Sequence, residues 1–211
     1  MIEIQRFVNS RFSSNTYVLS QPEYDNVWIV DPGDTEKIFE WMKIHSKTNV
    51  TGILLTHAHF DHIYGVNDIL AHFSQCKVYI ANEYGQRALY DAKSNGSKYT
   101  EEGPITLPKD ANICFYPEIL ELWSGVMLYT MYTPGHSDDS QCFYVDGNLF
   151  TGDTLIKDTR TVTKLKSGSV EKLNATIGNI SSLQGKGMII CAGHGDIFLL
   201  DGYDLTIATK K

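Results

Sequence analysis

The stretch Thr56–His62, THAHFDH, decides how the rest of the chain is read. It crowds three histidines and an aspartate into seven positions, directly behind an apolar run that ends at Leu55. In an extended segment side chains alternate, so His57 and His59 can converge on one point. A turn begun at Asp61 would aim Asp61 and His62 at a neighbouring point. That is a geometry for two metal ions. A structural zinc site closes with four ligands that often include Cys, whereas this stretch offers only N and O donors, so further ligands are expected elsewhere.

Three later segments nominate them. YTPGHSDDS carries His136 in a Pro-Gly turn, LFTGDTL carries Asp153, and MIICAGHGD carries His194, each behind an apolar run. Polar donors at successive strand ends are where rigid strands position side chains that loops leave accessible. His45 and His72 fall instead within expected helices and are read as ordinary helical residues.

The surrounding pattern alternates strands and helices. Strands are expected at 15–19, 27–30, 52–55, 77–80, 113–116, 126–132, 142–145, 149–151 and 188–191. A helix capped by Asp34 or Thr35 places Ile38, Trp41, Met42 and His45 at helical spacing, and a second carries Val66, Ile69, Leu70 and Phe73. A short helix is expected around Arg87–Tyr90, followed by KSNGSKYTEEGP (93–104) as a surface loop that buries little. The last helix, capped by Ser169 and stopped at Gly185, carries Val170, Leu173, Ile177, Ile180 and Leu183 on one stripe. Two batches of strands with accompanying helices predict two sheets packed face to face with helices outside, in one domain over 1–211.

Composition excludes several classes. With 18 Lys and Arg against 25 Asp and Glu the formal charge is -7, which repels a phosphate backbone, so no nucleic-acid partner is expected. Neither a signal peptide nor a membrane-spanning stretch is evident, which predicts a soluble cytoplasmic protein with no membrane partner. Cys76, Cys114, Cys142 and Cys191 are scattered without a CxxC pair, and buried reduced thiols are expected.

With these residues in place, the sequence resembles the metallo-β-lactamase fold superfamily: its HxHxDH motif matches HAHFDH, and its later His, Asp and His match His136, Asp153 and His194. The resemblance runs from SSNTYVLS to AGHGD. It implies an α/β fold, an αββα four-layer sandwich of two mixed β-sheets. It also implies a first metal held by His57, His59, His136 and Asp153, and a second held by Asp61, His62, His194 and the shared Asp153. Asp31 in DPGD matches the aspartate that supports a metal-binding histidine, an arrangement that fixes the imidazole tautomer; as a turn residue only, it would need no such role.

Two divalent ions bridged by one carboxylate support metal-assisted hydrolysis, with Asp61 available to aim the attacking water. His and carboxylate donors suit zinc, the expected metal, and also iron or manganese. Within the resemblance, Asp153 disfavours antibiotic hydrolysis. The lack of Tyr between Asp153 and His194 disfavours lactone hydrolysis, and the lack of an RNA-gripping extension disfavours the nucleases. The remaining reading is a small glyoxalase II-like hydrolase acting on a thioester such as S-lactoylglutathione. Only DGYDLTIATKK follows the last ligand loop, where full-length glyoxalase II has a glutathione-binding helical domain. The rivals are a mononuclear iron persulfide dioxygenase and a metal-binding protein without catalysis. Lys157, Arg160, Lys164 and Lys166 are either solvated or able to pair with a substrate carboxylate, Arg160 being the best suited. Tyr84, Tyr90 and Tyr99 either line a substrate rim or an oligomer contact, or pack the irregular middle segment on the sandwich. The expected partner is a small-molecule substrate, and monomer and homodimer both stay open.

Overall fold

The computed structural model of the protein describes residues 1–101 and 103–210, so Glu102 of the expected surface loop lies outside the described residues. The chain divides into two compact units, Met1–Phe115 and Tyr116–Lys211, each built on one six-stranded mixed sheet.

The first sheet runs in chain order: β1 (Glu3–Val8), β2 (Asn15–Ser20), β3 (Asn26–Val30), β4 (Asn49–Leu54), β5 (Lys77–Ile80) and β6 (Asn112–Phe115). The β1–β2 and β2–β3 pairs are antiparallel, and β3 through β6 are parallel. Parallel neighbours need crossovers, and these are supplied by α1 (Thr35–Ile44), α2 (Val66–His72) and α3 (Glu83–Leu89). The apolar spacing read from the sequence is what packs here: Ile38 and Met42 of α1 and Val66 and Ile69 of α2 join Ile29, Ile53 and Val78 in one buried cluster. Because Val30 sits opposite Leu54 in the parallel β3–β4 pair, the residues that follow both strands leave the sheet at the same end. This sets Asp31 beside Thr56.

The second sheet has the order β12-β11-β10-β9-β8-β7, from β7 (Ile119–Trp123), β8 (Val126–Tyr132), β9 (Gln141–Val145), β10 (Asn148–Gly152), β11 (Ile189–Ala192) and β12 (Phe198–Leu199). Only β10–β11 is parallel, and its crossover is α4 (Val170–Ser181), whose Leu173, Ile177 and Ile180 pack with Leu149 and Ile190. The Ser169 side chain caps α4 by accepting from the Lys172 amide, as its position predicts. Phe150 pairs with Cys191 and Gly152 with Ala192, so the segments carrying Asp153 and His194 also emerge together, tied by the Gly193 amide to the Gly152 carbonyl at 2.8 Å.

The departures from the sequence reading are local. Asp34 stands at the N-cap of α1 without capping it; its carboxylate instead accepts from the Ser10 amide and hydroxyl and the Tyr64 hydroxyl. Burial alone would raise the Asp34 pKa, but the bonds from Tyr64 and Ser10 and the nearby Lys37 charge outweigh it, and Asp34 is held below the usual 3.8. Helix α3 begins earlier than expected because Asn82 caps it, accepting from the Gly85 amide. The described residues of the expected surface loop, 93–101 and 103–104, lie mostly at the surface, but Asn95 and Ser97 are wholly buried and pin it. Asn95 donates to the Ala88 and Ile105 carbonyls and accepts from the Ser97 amide.

The cysteines are all free thiols, with Cys76, Cys142 and Cys191 buried and Cys114 partly so. Burial pushes the Cys142 thiol up to about 12 against the opposing pull of Thr133 and Thr154. No helix among the described residues is long and apolar enough to cross a membrane.

Candidate metal centre

In the first unit the THAHFDH stretch leaves β4 extended and then closes into a 3-10 turn, Phe60–His62. His57 and His62 are buried and their rings lie 4.3 Å apart, while the His57 and His59 rings meet edge to face at 4.6 Å. Asp31 organises this cluster. One carboxylate oxygen accepts from the Thr56 amide at 2.8 Å; the other accepts from the Thr56 hydroxyl at 2.6 Å and from His62 Nδ1 at 3.0 Å. Asp31 itself sits at φ 47, the left-handed region in which Asp is among the few tolerated residues.

Proton bookkeeping then fixes two rings. With Nδ1–H of His62 given to Asp31, the Nε2 of the neutral ring is left with a lone pair. The only hydroxyl proton of Thr56 goes to Asp31, so Thr56 Oγ1 accepts from His57 Nδ1 at 3.1 Å and His57 Nε2 is likewise a lone-pair donor. The same holds in the second unit, where His136 Nδ1 lies 2.8 Å from the Val162 carbonyl, which can only accept. In their neutral form three histidines therefore present an Nε2 lone pair, the form a metal requires.

Asp153 lies between His136 and His194. Its Oδ2 is 3.7 Å from His136 Nε2 and its Oδ1 is 3.4 Å from His194 Nε2; in the first unit Asp61 Oδ2 is 3.7 Å from His62 Nε2. Two tetrahedral ligands each about 2.1 Å from one ion stand roughly 3.4 Å apart, so these separations suit shared coordination, while 3.7 Å is too long for a hydrogen bond. One carboxylate thus turns each oxygen to a different imidazole. The donor chemistry fits divalent metal ions.

The predicted residues fall into two sets. His57, His59, Asp61, His62 and Asp31 gather at one end of the first sheet; His136, Asp153 and His194 gather at one end of the second. His45 and His72 stay apart, each with Nδ1 2.8 Å from a backbone carbonyl four residues earlier, those of Trp41 and Asp68. Arg160 and Lys164 are exposed on a strap that, with Thr161–Thr163, lines a hollow of about 140 Å3. Tyr99 is 76 % exposed, so it does not pack its loop.

Sequence reading missed three contributors. Thr56 was in the deciding motif, but its role depends on where its proton goes. The Val162 carbonyl carries no side-chain signature at all. Ser14, from the loop between β1 and β2, donates to the Asp61 carbonyl at 2.7 Å and holds the Phe60–His62 turn; Asn9 in turn donates to Ser14 and Thr16, both at 3.0 Å.

The chain is 28% identical over 176 residues to a hydroxyacylglutathione hydrolase of Idiomarina loihiensis, covering 83% of this chain and 59% of that protein. It is 28% identical to that of Aeromonas hydrophila, covering 78% and 55%. The chain thus spans about six tenths of the length of the curated relatives it matches. Among solved structures it is similar to the BLEG-1 B3 metallo-β-lactamase, with 32% identity, a TM-score of 0.83 and coverage of 93% and 94%. It shares its fold with ETHE1 from Myxococcus xanthus, with 15% identity, a TM-score of 0.69 and coverage of 98% and 88%. The sequence model of the metallo-β-lactamase superfamily matches residues 10–194, and two six-stranded mixed sheets with flanking helices are the fold of that family's solved members. The chain belongs to the metallo-β-lactamase superfamily.

Proposed function

We propose that this protein is a binuclear metallohydrolase that cleaves a small thioester, S-lactoylglutathione or a related acyl thioester. The observation that carries the reading is Asp153, whose two carboxylate oxygens face two different histidines. On this reading the two donor sets serve one centre: His57, His59, His136 and Asp153 for one ion, Asp61, His62, His194 and Asp153 for the other. Groups drawn from these residues could each hold an ion. Zinc suits the donors, as do iron and manganese.

When bound, the ions would supply Lewis acidity, polarising the acyl carbonyl and lowering the pKa of water. The chain's own residues do the rest. Asp31, Thr56 and the Val162 carbonyl hold His62, His57 and His136 in the tautomer that presents Nε2. Asp61, its backbone held by Ser14, accepts a hydrogen bond from the attacking water and aims it. A thiolate leaving group, with a pKa near 8.5, departs without a strong general acid, which suits a site whose donors are all committed. The names of the curated relatives support the thioester. The partner on this reading is the small-molecule substrate alone.

The test is elemental analysis of protein purified without added metal, with hydrolysis of S-lactoylglutathione assayed alongside. Two metals per chain and turnover are expected, with Asp153→Ala losing more than the roughly 10–100-fold that follows removal of an outer partner of a ligand. One iron per chain with oxygen uptake on a glutathione persulfide, and no hydrolysis, would overturn the reading in favour of a dioxygenase. The similarity to BLEG-1 favours a second reading, β-lactam hydrolysis; a chromogenic cephalosporin turned over faster than the thioester would decide for it.

A further inference from the structure

The first unit shapes a polar hollow of about 720 Å3 whose described lining includes none of the candidate metal ligands. Asn67, at the start of α2, donates through Nδ2 to the Thr106 carbonyl at 3.0 Å. A carbonyl only accepts, so this bond settles which end of the amide is which. The other end, Oδ1, is buried and, among the described residues, accepts no hydrogen bond. Native structures keep few such atoms, because a buried acceptor without a donor is costly. Its neighbour Asp68 accepts from the Thr35 hydroxyl at 3.1 Å on Oδ2, and a carboxylate has about four lone-pair sites to offer. Asn67 and Asp68 together suit a donor that carries several hydrogens.

The opposite charge lines the same hollow. The Arg11 guanidinium lies over the Tyr64 ring, 4.5 Å from its centroid, and the Tyr64 hydroxyl is held by Asp34 at 2.7 Å. Stacking engages the face of a guanidinium, whereas its donors run round the edge in the fork that matches a carboxylate. Asp34 is committed to Tyr64 and to the Ser10 amide and hydroxyl, so it steadies the aromatic platform. Glu36 and Lys37 add one charge of each sign.

This mixture selects the ligand. A phosphate or a simple acid would meet Glu36 and Asp68, and a metal ion or a simple amine would meet Arg11 and Lys37, each a like-charge contact that costs affinity. A zwitterion finds an opposite charge for each of its ends. The volume falls within the roughly 300–1,000 Å3 of sites that hold small organic ligands, which is room for a short peptide. We infer that the hollow binds a dipeptide in its zwitterionic form, with the terminal ammonium on Asn67 Oδ1 and Asp68 and the terminal carboxylate on Arg11. This is a second site, and it does not depend on the thioester reading.

The test titrates dialanine into the zinc-loaded protein and reads backbone amide shifts residue by residue. Saturable shifts at residues 35–37 and 64–68 are expected, with a dissociation constant of about 1 mM or tighter. N-acetyl-dialanine and dialanine amide each lack one charge and should bind at least about tenfold more weakly, the scale of one hydrogen bond to a charged group. Asn67→Ala and Asp68→Asn should weaken dialanine by at least about tenfold and leave the acetylated peptide within about twofold. Arg11→Gln should weaken dialanine similarly and leave the amide within about twofold. Asp68 is exposed, so Asp68→Asn should melt with the wild type, and a weakened affinity in it reports the site and not the fold. No saturable shift, shifts confined to Asp153 and residues 192–195 at the metal centre, or equal binding of the three peptides would each overturn the inference.

Discussion

Thr56→Val tests the tautomer argument most directly. The substitution keeps shape and β-branching and leaves the Thr56 amide on Asp31 Oδ1 at 2.8 Å. It deletes the hydroxyl that donates to Asp31 Oδ2 at 2.6 Å and accepts from His57 Nδ1 at 3.1 Å. A hydrogen bond to a charged group contributes about 1.5–3 kcal/mol, and a buried ring N–H left without an acceptor costs about 1–3 kcal/mol. His57 can lessen the second cost by moving its proton to Nε2, which removes the lone pair a metal needs. Metal affinity should therefore fall about 10–100-fold, the usual effect of losing an outer partner of a ligand, and thermal stability of the metal-free protein should fall by about 2–4 kcal/mol. Competition with a chromophoric chelator reads the affinity, and denaturant unfolding of the apoprotein reads the stability. Affinity within twofold of wild type, alongside lost stability, would refute the argument, because Thr56 would then be a structural hydroxyl with no hold on the tautomer.

Gly65→Ala places a Cβ 2.1 Å from the Gly33 carbonyl oxygen; backbone cannot yield as a side-chain tip can, so unfolding experiments should show a loss of about 1–3 kcal/mol or more. Asn95→Ala strips hydrogen bonds from the Ala88 and Ile105 carbonyls and the Ser97 amide; a loss of about 2–4 kcal/mol is expected, and faster proteolysis within residues 91–105 would show where it falls. Asp34→Asn should destabilise at neutral pH. Because the folded pKa of Asp34 lies below 3.8, its contribution is fully present above that value and is lost as pH falls through the folded pKa. The stability gap between wild type and variant should thus close in acid, and a gap that widens below pH 4 would contradict the assignment.

Legibility in the sequence followed the physics of each signal. Donors behind apolar runs were readable because strands end abruptly and polar residues there have few other uses: His136 follows β8, Asp153 follows β10 and His194 follows β11. The stripe of α4 was equally plain, since Leu173, Ile177 and Ile180 share one face. Edge strands were harder. β7 and β12 escaped because ILELW mixes exposed and buried positions and Phe198–Leu199 is only two residues long. β1 alternates in sequence, yet most of its side chains are only half buried, so the alternation did not mark a buried face. Within the surface loop the anchors Asn95 and Ser97 were not foreseen, because they bond to backbone, which polar composition does not distinguish from solvated side chains. The Val162 carbonyl could not be read at all, since any residue supplies one.

The bonds that orient His57 and His62 all run through Asp31 and Thr56, within the first sheet and the loops that leave it. Those rings are therefore aimed when the amino-terminal unit folds, before any ion arrives. An incoming metal would meet donors whose rotational freedom has already been surrendered, so capture should proceed by shedding of water from the ion, with little rearrangement of the chain. Rapid-mixing traces of metal uptake should accordingly depend on the exchange rate of the ion's own hydration shell and change little with mild denaturant.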